Sequence, residues 1–320
     1  MSYLETNIIV AKRIKITNHL ADLGIDNVRK EIIEGLNAGQ KYISSKFFYD
    51  EKGSKLFEDI TQLPEYYPTR TEKSILKEIA PKLMSGLKNT DVVELGSGDC
   101  SKITILLSAV PEENLESIQY VPVDVSRSAI NESAQQLVEK FPELSINGLV
   151  LDFITQLDLI PRKRKRLFLF LGSTLGNFTK SVASNFMVNL SRNMNAGDSF
   201  VLGLDLVKPI EILHKAYNDS RGVTADFNKN ILNALNNIVE TNFNIVDFEH
   251  DAFFNKEKSR IEMHLIAKKD VVVTSPYFEK KILIRKGENI HTENSNKYSI
   301  ERIQQLAEIT GLKIKNVLLM

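Results

Sequence analysis

A short glycine-containing stretch, DVVELGSGDCSKIT at residues 91–104, constrains the fold of this chain most strongly. An apolar run leads into Glu94-Leu95-Gly96-Ser97-Gly98, and apolar residues resume with helical spacing after a polar turn. This pattern predicts a buried strand, a glycine turn and a helix. Because glycine has no Cβ, such a turn lets a nucleotide-like ligand lie against bare backbone. A lone G-x-G is a weak signal, and a tight strand-to-helix turn without a ligand is the alternative interpretation.

The segments after this turn alternate between short apolar runs and helical patterns. The spacing predicts strands over 118–124, 149–153, 167–171 and 199–205, and helices over 126–141 and 182–194. Such alternation predicts a parallel sheet with helices on both faces. Ligands of these sheets bind outside the carboxyl ends of the strands. Four polar residues follow the predicted strands at that edge: Glu94, Asp124, Asp152 and Asn177.

The N-terminal part of the chain is richer in aromatic residues. Its spacing predicts a strand over 8–10, a helix over 26–34 stopped by Gly35, and a helix over 72–79 capped by Thr71. In the aromatic segment 41–70, the residues between two prolines are kept out of a helix interior. Aromatic side chains on such an irregular segment suit either a hydrophobic core or a pocket wall.

The pattern changes after Asp205. Helices over 210–217 and 226–239 precede strands over 244–249, 260–267, 271–274 and 281–285, which we interpret as antiparallel. A capped helix over 299–310 and a closing strand over 312–319 end the sequence and can return to the first sheet. The chain is therefore predicted to carry a second, smaller α+β unit.

Composition and charge argue against several functional classes. The 320 residues have a formal net charge of zero, so no global charge attracts nucleic acid or an anionic membrane. The basic run 162–166 precedes a buried strand without interleaved aromatics, and we interpret it as a solvated turn. Neither a signal peptide nor an apolar run of about 18 residues is present. The single cysteine, Cys100, favours a reducing, cytoplasmic setting. The histidines lack paired ligand spacing, which predicts no metal.

The glycine turn leaves the class of cofactor open. A nicotinamide fingerprint requires a third glycine where Ser101 stands. An acid two residues before the first glycine, here Glu94, is usual at the S-adenosylmethionine site of class I methyltransferases, although Cys100 replaces their third glycine. Asp124 can accept hydrogen bonds from two ribose hydroxyls or cap the following helix. Asp152-Phe153 can contact an adenine. A methyltransferase and a dehydrogenase both remain compatible with these features.

Eight segments resemble, in order, the histidine-specific Nα-methyltransferases of ergothioneine biosynthesis, and the match runs from about residue 46 to the C-terminus. These segments are FFYDEKGSKLFEDITQLPEYYPTR, VVELGSGDCSK, YVPVDVS, LDF, FLGSTLGNF, KAYND, RIEMHL and HTENS. Close relatives of the family include fungal enzymes that methylate prenylated tryptophan. The resemblance implies a Rossmann-like, mostly parallel class I methyltransferase domain, residues 67–206 plus 298–320. It also implies an α+β substrate-binding domain, residues 1–66 plus 207–297.

The resemblance also implies a cofactor site and a substrate site. It places S-adenosylmethionine against the glycine turn and the two following strand ends, at Gly96, Gly98, Lys102, Asp124 (ribose), Asp152 and Phe153 (adenine). It places the amino acid near Tyr66, Gly172, Asn177 and Tyr217, with the carboxylate held by the last two. The imidazole falls at Glu293 and Ser295, and the remaining pocket positions are Met263, which packs on the ring, and Tyr49 and Phe57.

The implied reaction is the Nα-trimethylation of L-histidine to hercynine by a monomer, with S-adenosylhomocysteine as the second product. The protein must align a neutral amine with the methyl group, and we assign that work to Asn177. Tyr49 or a water relay is our candidate proton acceptor. The alternatives are the same chemistry on another amino acid such as a tryptophan derivative, a non-catalytic module that binds S-adenosylmethionine, and a dehydrogenase.

Overall fold

Six parallel strands form the central sheet of the structure, a computed structural model that describes residues 13–20 and 24–319. The strands are β1 (Ile14–Asn18), β2 (Thr90–Leu95), β3 (Gln119–Asp124), β4 (Ser145–Val150), β5 (Lys165–Phe170) and β6 (Ser199–Leu202). Their order is β1-β4-β3-β2-β5-β6, and each neighbouring pair is parallel. The chain thus moves outward from β2 to β4 and then crosses back to β5. The carboxyl ends of β2 and β5 form the switch point where such sheets bind ligands.

Helices cover both faces of this sheet, which explains why its strands are continuous apolar runs. Val92 of β2 packs into the core on one face, and its neighbour Val93 packs into the core on the other. The helices of this unit are α3 (Tyr67–Met84), α4 (Ser101–Leu107), α5 (Glu112–Leu115), α6 (Arg127–Lys140), α7 (Lys180–Asn193) and α10 (Ile300–Thr310). The predicted class I methyltransferase fold is therefore confirmed.

A second unit has its own antiparallel sheet and its own core. Strands β7 (Phe248–Asn255), β8 (Arg260–Ala267) and β11 (Asn289–Asn296) pair in the order β11-β8-β7, and β9 (Val271–Val273) pairs with β10 (Ile282–Ile284). Its helices are α1 (Ile25–Asn37), α2 (Glu51–Thr61), α8 (Ile210–Tyr217) and α9 (Val223–Val239). Their apolar faces share one core with the strands. This composition supports the predicted α+β unit built from early and late segments.

Strand β1 was not predicted, and its position changes the expected division of the chain. Residues 14–18 fall in the segment assigned to the substrate-binding unit, yet β1 pairs with β4 at the edge of the large sheet. The predicted strand over 8–10 lies outside the described residues. The division into two domains stays a prediction, and β1 belongs structurally to the first sheet.

Among the predicted helix boundaries that differ from the structure, two have a clear local reason. Helix α1 runs past Gly35 to Asn37. A Cβ at Gly35 would lie 2.4 Å from the Tyr42 carbonyl oxygen, so the glycine permits a close approach and does not end the helix. Helix α3 begins at Tyr67 and not after Thr71, because Pro68 occupies the first turn, where a missing N–H costs little.

Two predicted strands also differ from the structure. The segment 244–249 opens with a 3₁₀ turn, Ile245–Asp247, before β7 starts at Phe248. The segment 312–319 forms no strand, although α10 before it does return to pack against the first unit. An apolar alternation indicates which side chains are suited to burial, but a strand also needs a partner edge in register.

The basic run contributes to the core of the sheet, and its interpretation as a solvated turn is wrong at Arg166. That side chain is fully buried, and its guanidinium pairs with Asp198 at 2.7 Å and donates to the Asn193 carbonyl. Arg164 Nε lies 3.2 Å from a carboxylate oxygen of Asp91. These bidentate and charge-assisted contacts tie the loop after α7 to the start of β5. No helix in the described ranges is long and apolar enough to cross a membrane.

Candidate active site

One large cavity lies between the two units, at the carboxyl ends of β2 and β5. It brings together fourteen of the fifteen residues that the sequence assigned to a site. These are Tyr49, Phe57, Tyr66, Gly96, Gly98, Lys102, Asp124, Asp152, Phe153, Gly172, Asn177, Tyr217, Glu293 and Ser295. The second unit supplies an aromatic wall and one polar strand, and the first unit supplies the glycine turn.

Met263 is the exception, because it does not line this cavity. It lies on β8 opposite Glu293 of β11, but it is 1% exposed and packs in the core of the second unit. Its apolar character is explained by that core packing. The contact with a substrate ring that the resemblance implied for Met263 stays a prediction.

The glycine turn after β2 presents bare backbone to the cavity. Gly96 and Gly98 have φ angles of +69° and +48°, a region that favours glycine. A Cβ at Gly96 would touch the Phe153 ring at 3.7 Å. Asp124 accepts hydrogen bonds from the backbone N–H groups of Gly98 at 3.2 Å and Ser126 at 2.9 Å. Each carboxylate oxygen keeps one further lone pair, so Asp124 can shape the turn and still accept ribose hydroxyls.

Asp152 and Phe153 are held rigidly at the end of β4. The Asp152 carboxylate accepts from the Ile154 N–H at 2.9 Å and from the Thr155 hydroxyl at 3.2 Å. The Phe153 ring packs edge-on against Phe170, with centroids 5.5 Å apart. Both residues reach the cavity in one orientation, as an adenine site requires.

Glu72 joins the two halves of the cofactor side, a role that the sequence did not indicate. Its carboxylate lies 2.7 Å from the Lys102 ammonium and accepts the Gly172 backbone N–H at 2.7 Å. Helix α3 is thereby linked to α4 and to the turn after β5. The Lys102 ammonium lies at the cavity wall and is already paired with Glu72. If Lys102 contacts the cofactor as predicted, its ammonium must interact with Glu72 and the cofactor together.

The turn after β5 places Asn177 in the cavity. Asn296 of β11 donates to the carbonyls of Gly176 at 2.7 Å and Phe178 at 2.8 Å. A Cβ at Gly176 would lie 3.0 Å from the Asn296 carbonyl oxygen, which explains the glycine. Among the described residues, no hydrogen bond engages the Asn177 side chain. Its amide is therefore available to a ligand while the backbone around it is held by the second unit.

Aromatic rings form the wall opposite the glycine turn. Successive centroid distances are 5.7 Å from Tyr49 to Phe57, 6.3 Å from Phe57 to Tyr66, and 6.2 Å from Tyr66 to Tyr217. Desolvation by the cavity walls, together with the Glu293 carboxylate, raises the pKa of Tyr49 well above its usual value. A phenol of this kind stays protonated at neutral pH, so it can donate or relay a proton but is a poor base.

Glu293 faces the cavity, and its carboxylate has no partner among the described residues. A bulge in the pairing of β11 with β8 lies between His291 and Glu293. Within the described part of the chain, its carboxylate makes no hydrogen bond. Desolvation raises its pKa to about 7, and the Lys297 ammonium opposes that rise. An acceptor held in a cavity without a partner is suited to bind an N–H group of a ligand.

This raised pKa predicts an unusual pH dependence of stability. The folded-state pKa of about 7 exceeds the ordinary value for an unfolded glutamate, so the protonated form favours folding. The contribution is fully present below the unfolded pKa and is lost as the pH rises toward 7. We therefore expect Glu293→Gln to be more stable than the wild type at pH 8, by on the order of 1–2 kcal/mol.

The check is denaturant unfolding of both proteins without ligands between pH 5 and pH 8. The difference in free energy of unfolding should widen with pH and level off above 7. The exposed Glu257→Gln serves as the matched control, with a difference that does not change with pH. Curves for Glu293→Gln and the wild type that run parallel over this range would contradict the prediction.

Lys297 and Asp205 form a buried ionic network behind Glu293, and the sequence analysis missed both. The Lys297 side chain is fully buried, and its ammonium lies 2.9 Å from Asp205, 2.9 Å from the Ser295 hydroxyl and 3.1 Å from the Tyr217 hydroxyl. Tyr67 donates to Asp205 at 2.6 Å. Burial opposes ionisation of Asp205, but Lys297 and the other donors hold its pKa below the usual range. A lone lysine between polar residues gives no sequence signal for such burial.

A second polar cluster lies outside the cavity, among Glu262, His264 and His291. Their ligand-type atoms are within 4.8 Å of one another, which the histidine spacing did not reveal. The Glu262 carboxylate pairs with the Arg260 guanidinium at 2.6 Å and with the His264 ring at 3.3 Å. These contacts explain the cluster as an internal network. The expected absence of a metal stays a prediction.

Comparisons with known proteins agree with this arrangement. A family model described as histidine-specific, S-adenosylmethionine-dependent methyltransferase matches residues 28–319. The chain is 38% identical to a histidine N-alpha-methyltransferase of Mycobacterium tuberculosis, over 94% of each chain. It is 37% identical to that of Mycolicibacterium smegmatis, again over 94% of each. A 4-dimethylallyltryptophan N-methyltransferase of Aspergillus fumigatus is 28% identical, over 90% of this chain and 88% of that one. This chain belongs to the family of S-adenosylmethionine-dependent, histidine-specific methyltransferases.

Proposed function

We propose that this protein transfers methyl groups from S-adenosylmethionine to the α-amine of L-histidine and so produces hercynine. One observation carries the proposal: the unpartnered Glu293 carboxylate and the Ser295 hydroxyl line the same cavity as the glycine turn. The mycobacterial relatives named as histidine N-alpha-methyltransferases support it. S-adenosylhomocysteine is then the second product.

The residues around the glycine turn fit the proposed cofactor. Gly96 and Gly98 leave backbone uncovered, Asp124 keeps free acceptor sites, and Asp152 with Phe153 forms a rigid edge. When bound, S-adenosylmethionine supplies an activated methyl group on a sulfonium. The protein contributes alignment and the exclusion of water. The rings of Tyr49 and Tyr66 in its wall are neutral and do not themselves repel a sulfonium.

The other end of the cavity orients the amino acid. The free amide of Asn177 is a neutral donor that can hold the α-carboxylate. The Tyr217 hydroxyl donates to Ser295 and accepts from Lys297, whose positive charge lies at a distance. The α-amine then faces the turn at Gly172, between the carboxylate site and the cofactor site. Burial there favours the neutral amine, which is the nucleophile. The Tyr49 hydroxyl is a proton relay in this scheme, and water accepts the proton.

The competing substrate, a tryptophan derivative, fits the cavity less well. An indole has one N–H for Glu293 but no ring nitrogen that accepts a hydrogen bond from Ser295. A buried polar group left without a partner costs about 1–3 kcal/mol. A non-catalytic binding module would have no need of an unpartnered carboxylate in the same cavity as the cofactor site.

The proposed activity is tested by incubating the purified protein with S-adenosylmethionine and an equimolar mixture of the common amino acids. We expect mass spectrometry to show histidine carrying one, two and finally three added methyl groups, with the other amino acids unchanged. Reactions without the cofactor serve as the control. Methylation of a different amino acid, or none at all, would overturn the proposal. We further propose a cytoplasmic monomer, which size-exclusion chromatography with light scattering checks.

A further inference from the structure

We propose that buried Lys297 is a positioning residue that restricts the Ser295 hydroxyl to donating, so that the site accepts only a ring with an acceptor nitrogen. The inference rests on the proposed function, since the ring is that of the histidine substrate. It deepens that function by defining the charge state of the imidazole that is bound.

Every donor of the Lys297 ammonium is already used. The side chain is fully buried, and three acceptors surround it: an Asp205 carboxylate oxygen and the hydroxyl oxygens of Tyr217 and Ser295, at 2.9, 3.1 and 2.9 Å. An ammonium has three donors and no lone pair. Each of these groups must therefore point a lone pair at the lysine, and the two hydroxyls must direct their protons elsewhere.

The same count leaves Ser295 with one free function. Because the Tyr217 hydroxyl accepts from Lys297, its proton is directed to Ser295 Oγ, 2.7 Å away. Ser295 Oγ thus accepts from both Lys297 and Tyr217, and a serine hydroxyl has only two lone pairs. In the described part of the chain its proton has no acceptor. Ser295 lines the cavity, so this proton is available to a ligand.

Glu293 completes a donor–acceptor pair on the same strand. Residues two apart on a strand project to one side, so Glu293 and Ser295 face the ligand together. In its ionised form the Glu293 carboxylate only accepts, and the serine hydroxyl only donates. A neutral imidazole, with one N–H and one bare nitrogen, satisfies both. An imidazolium has two N–H groups and would direct one of them at a hydroxyl whose lone pairs are filled.

Asp205 keeps this arrangement charged. Tyr67 donates to the Asp205 carboxylate at 2.6 Å, and the Lys208 ammonium lies 2.6 Å from the same carboxylate. Lys297 is the fully buried counter-ion of Asp205. Removing Lys297 would free a lone pair on Ser295, and the hydroxyl could then accept as well as donate. Discrimination between the two charge states of the ring should weaken in consequence.

The test compares histidine with β-(1,2,4-triazol-3-yl)-L-alanine, whose ring keeps an N–H and an acceptor nitrogen but stays neutral at mildly acid pH. The measured quantity is the ratio of kcat/KM for histidine to that for the analogue. Titration of the protein and of the α-amine acts on both substrates and cancels in this ratio. Six titratable groups face Lys297, Tyr217 and Ser295. Asp205, Tyr67 and Lys208 lie behind these three residues, and Glu293, Tyr49 and Tyr66 lie in the cavity.

In the wild type we expect the ratio to fall about tenfold from pH 7.5 to pH 5.5, as the imidazole, with an ordinary pKa of about 6.5, becomes protonated. The double variant Lys297→Met/Asp205→Asn removes the ion pair together, which avoids a lone buried charge. Its ratio should fall only about twofold over the same range, since the freed serine lone pair accepts the second N–H. In a second variant, Ser295→Ala, the same ratio should also change much less with pH than in the wild type.

Three outcomes are distinguished. A wild-type ratio that does not change with pH, or variants that keep the full tenfold fall, would overturn the inference while histidine methylation stands. A wild type that does not methylate histidine overturns both this inference and the proposed function. The exposed Lys256→Met is the matched control and should behave as the wild type. If the double variant does not fold, Ser295→Ala decides the question alone.

Discussion

Glu293→Ala is expected to lower kcat/KM for L-histidine by about 10²- to 10⁴-fold. The carboxylate is the acceptor that we assign to the imidazole N–H, and it has no other partner among the described residues. Its loss leaves a buried ring N–H unsatisfied, and sites built around such bonds discriminate strongly. Binding of S-adenosylmethionine should be unchanged, because Glu293 lies on β11 and the glycine turn follows β2.

Steady-state kinetics and calorimetry of cofactor binding together check this expectation. Glu257→Ala, which removes an exposed acid on the same unit, is the matched control and should retain full activity. Glu293→Gln keeps the shape and one acceptor oxygen, so its loss should be smaller than that of the alanine variant. If Glu293→Ala still methylates histidine at the wild-type rate, the assignment of this carboxylate to the imidazole is wrong.

Asp124→Ala is expected to weaken S-adenosylmethionine binding by about 10²-fold or more, because hydrogen bonds to charged groups contribute about 1.5–3 kcal/mol each. The carboxylate holds the N–H groups of Gly98 and Ser126, and it retains acceptor sites for two ribose hydroxyls. The variant removes both functions at once. Histidine turnover should fall in parallel, and raising the cofactor concentration should restore part of it.

Isothermal titration with S-adenosylhomocysteine measures this effect without turnover. Asp158→Ala removes an exposed acid of the same unit and is the matched control. Thermal unfolding of the ligand-free proteins separates a disordered turn from a lost ribose contact. A disordered turn lowers the melting temperature without ligand, whereas a ribose contact adds stability only when the ligand is bound. Unchanged affinity in Asp124→Ala would show that the ribose lies elsewhere.

Much of the first unit follows from local sequence pattern. The apolar run before Gly96, the two glycines and the helical spacing after them predict a strand, turn and helix, and β2 and α4 form there. The alternation of elements up to Asp205 predicts a parallel sheet, because strands buried on both faces must be apolar throughout. These features depend on residues close in sequence, so a local pattern contains them.

The boundaries that were wrong depend on contacts with distant residues. Gly35 looks like a helix stop, but the Tyr42 carbonyl packs against it and the helix continues. The apolar segment 312–319 looks like a strand, but it has no partner in register. The short β1 is recognised only through its pairing with β4.

In the candidate site, too, some features follow from the sequence and others depend on contacts between distant residues. Local pattern predicted the kind of fold and the glycine turn, and family resemblance predicted the residues that gather around the cavity. The core position of Met263 and the burial of Lys297 are visible only in the folded chain. The physical reason is that burying a lysine is costly unless its charge is paired. Its partners Asp205 and Tyr217 come from different parts of the chain, and only the fold brings them within hydrogen-bonding distance.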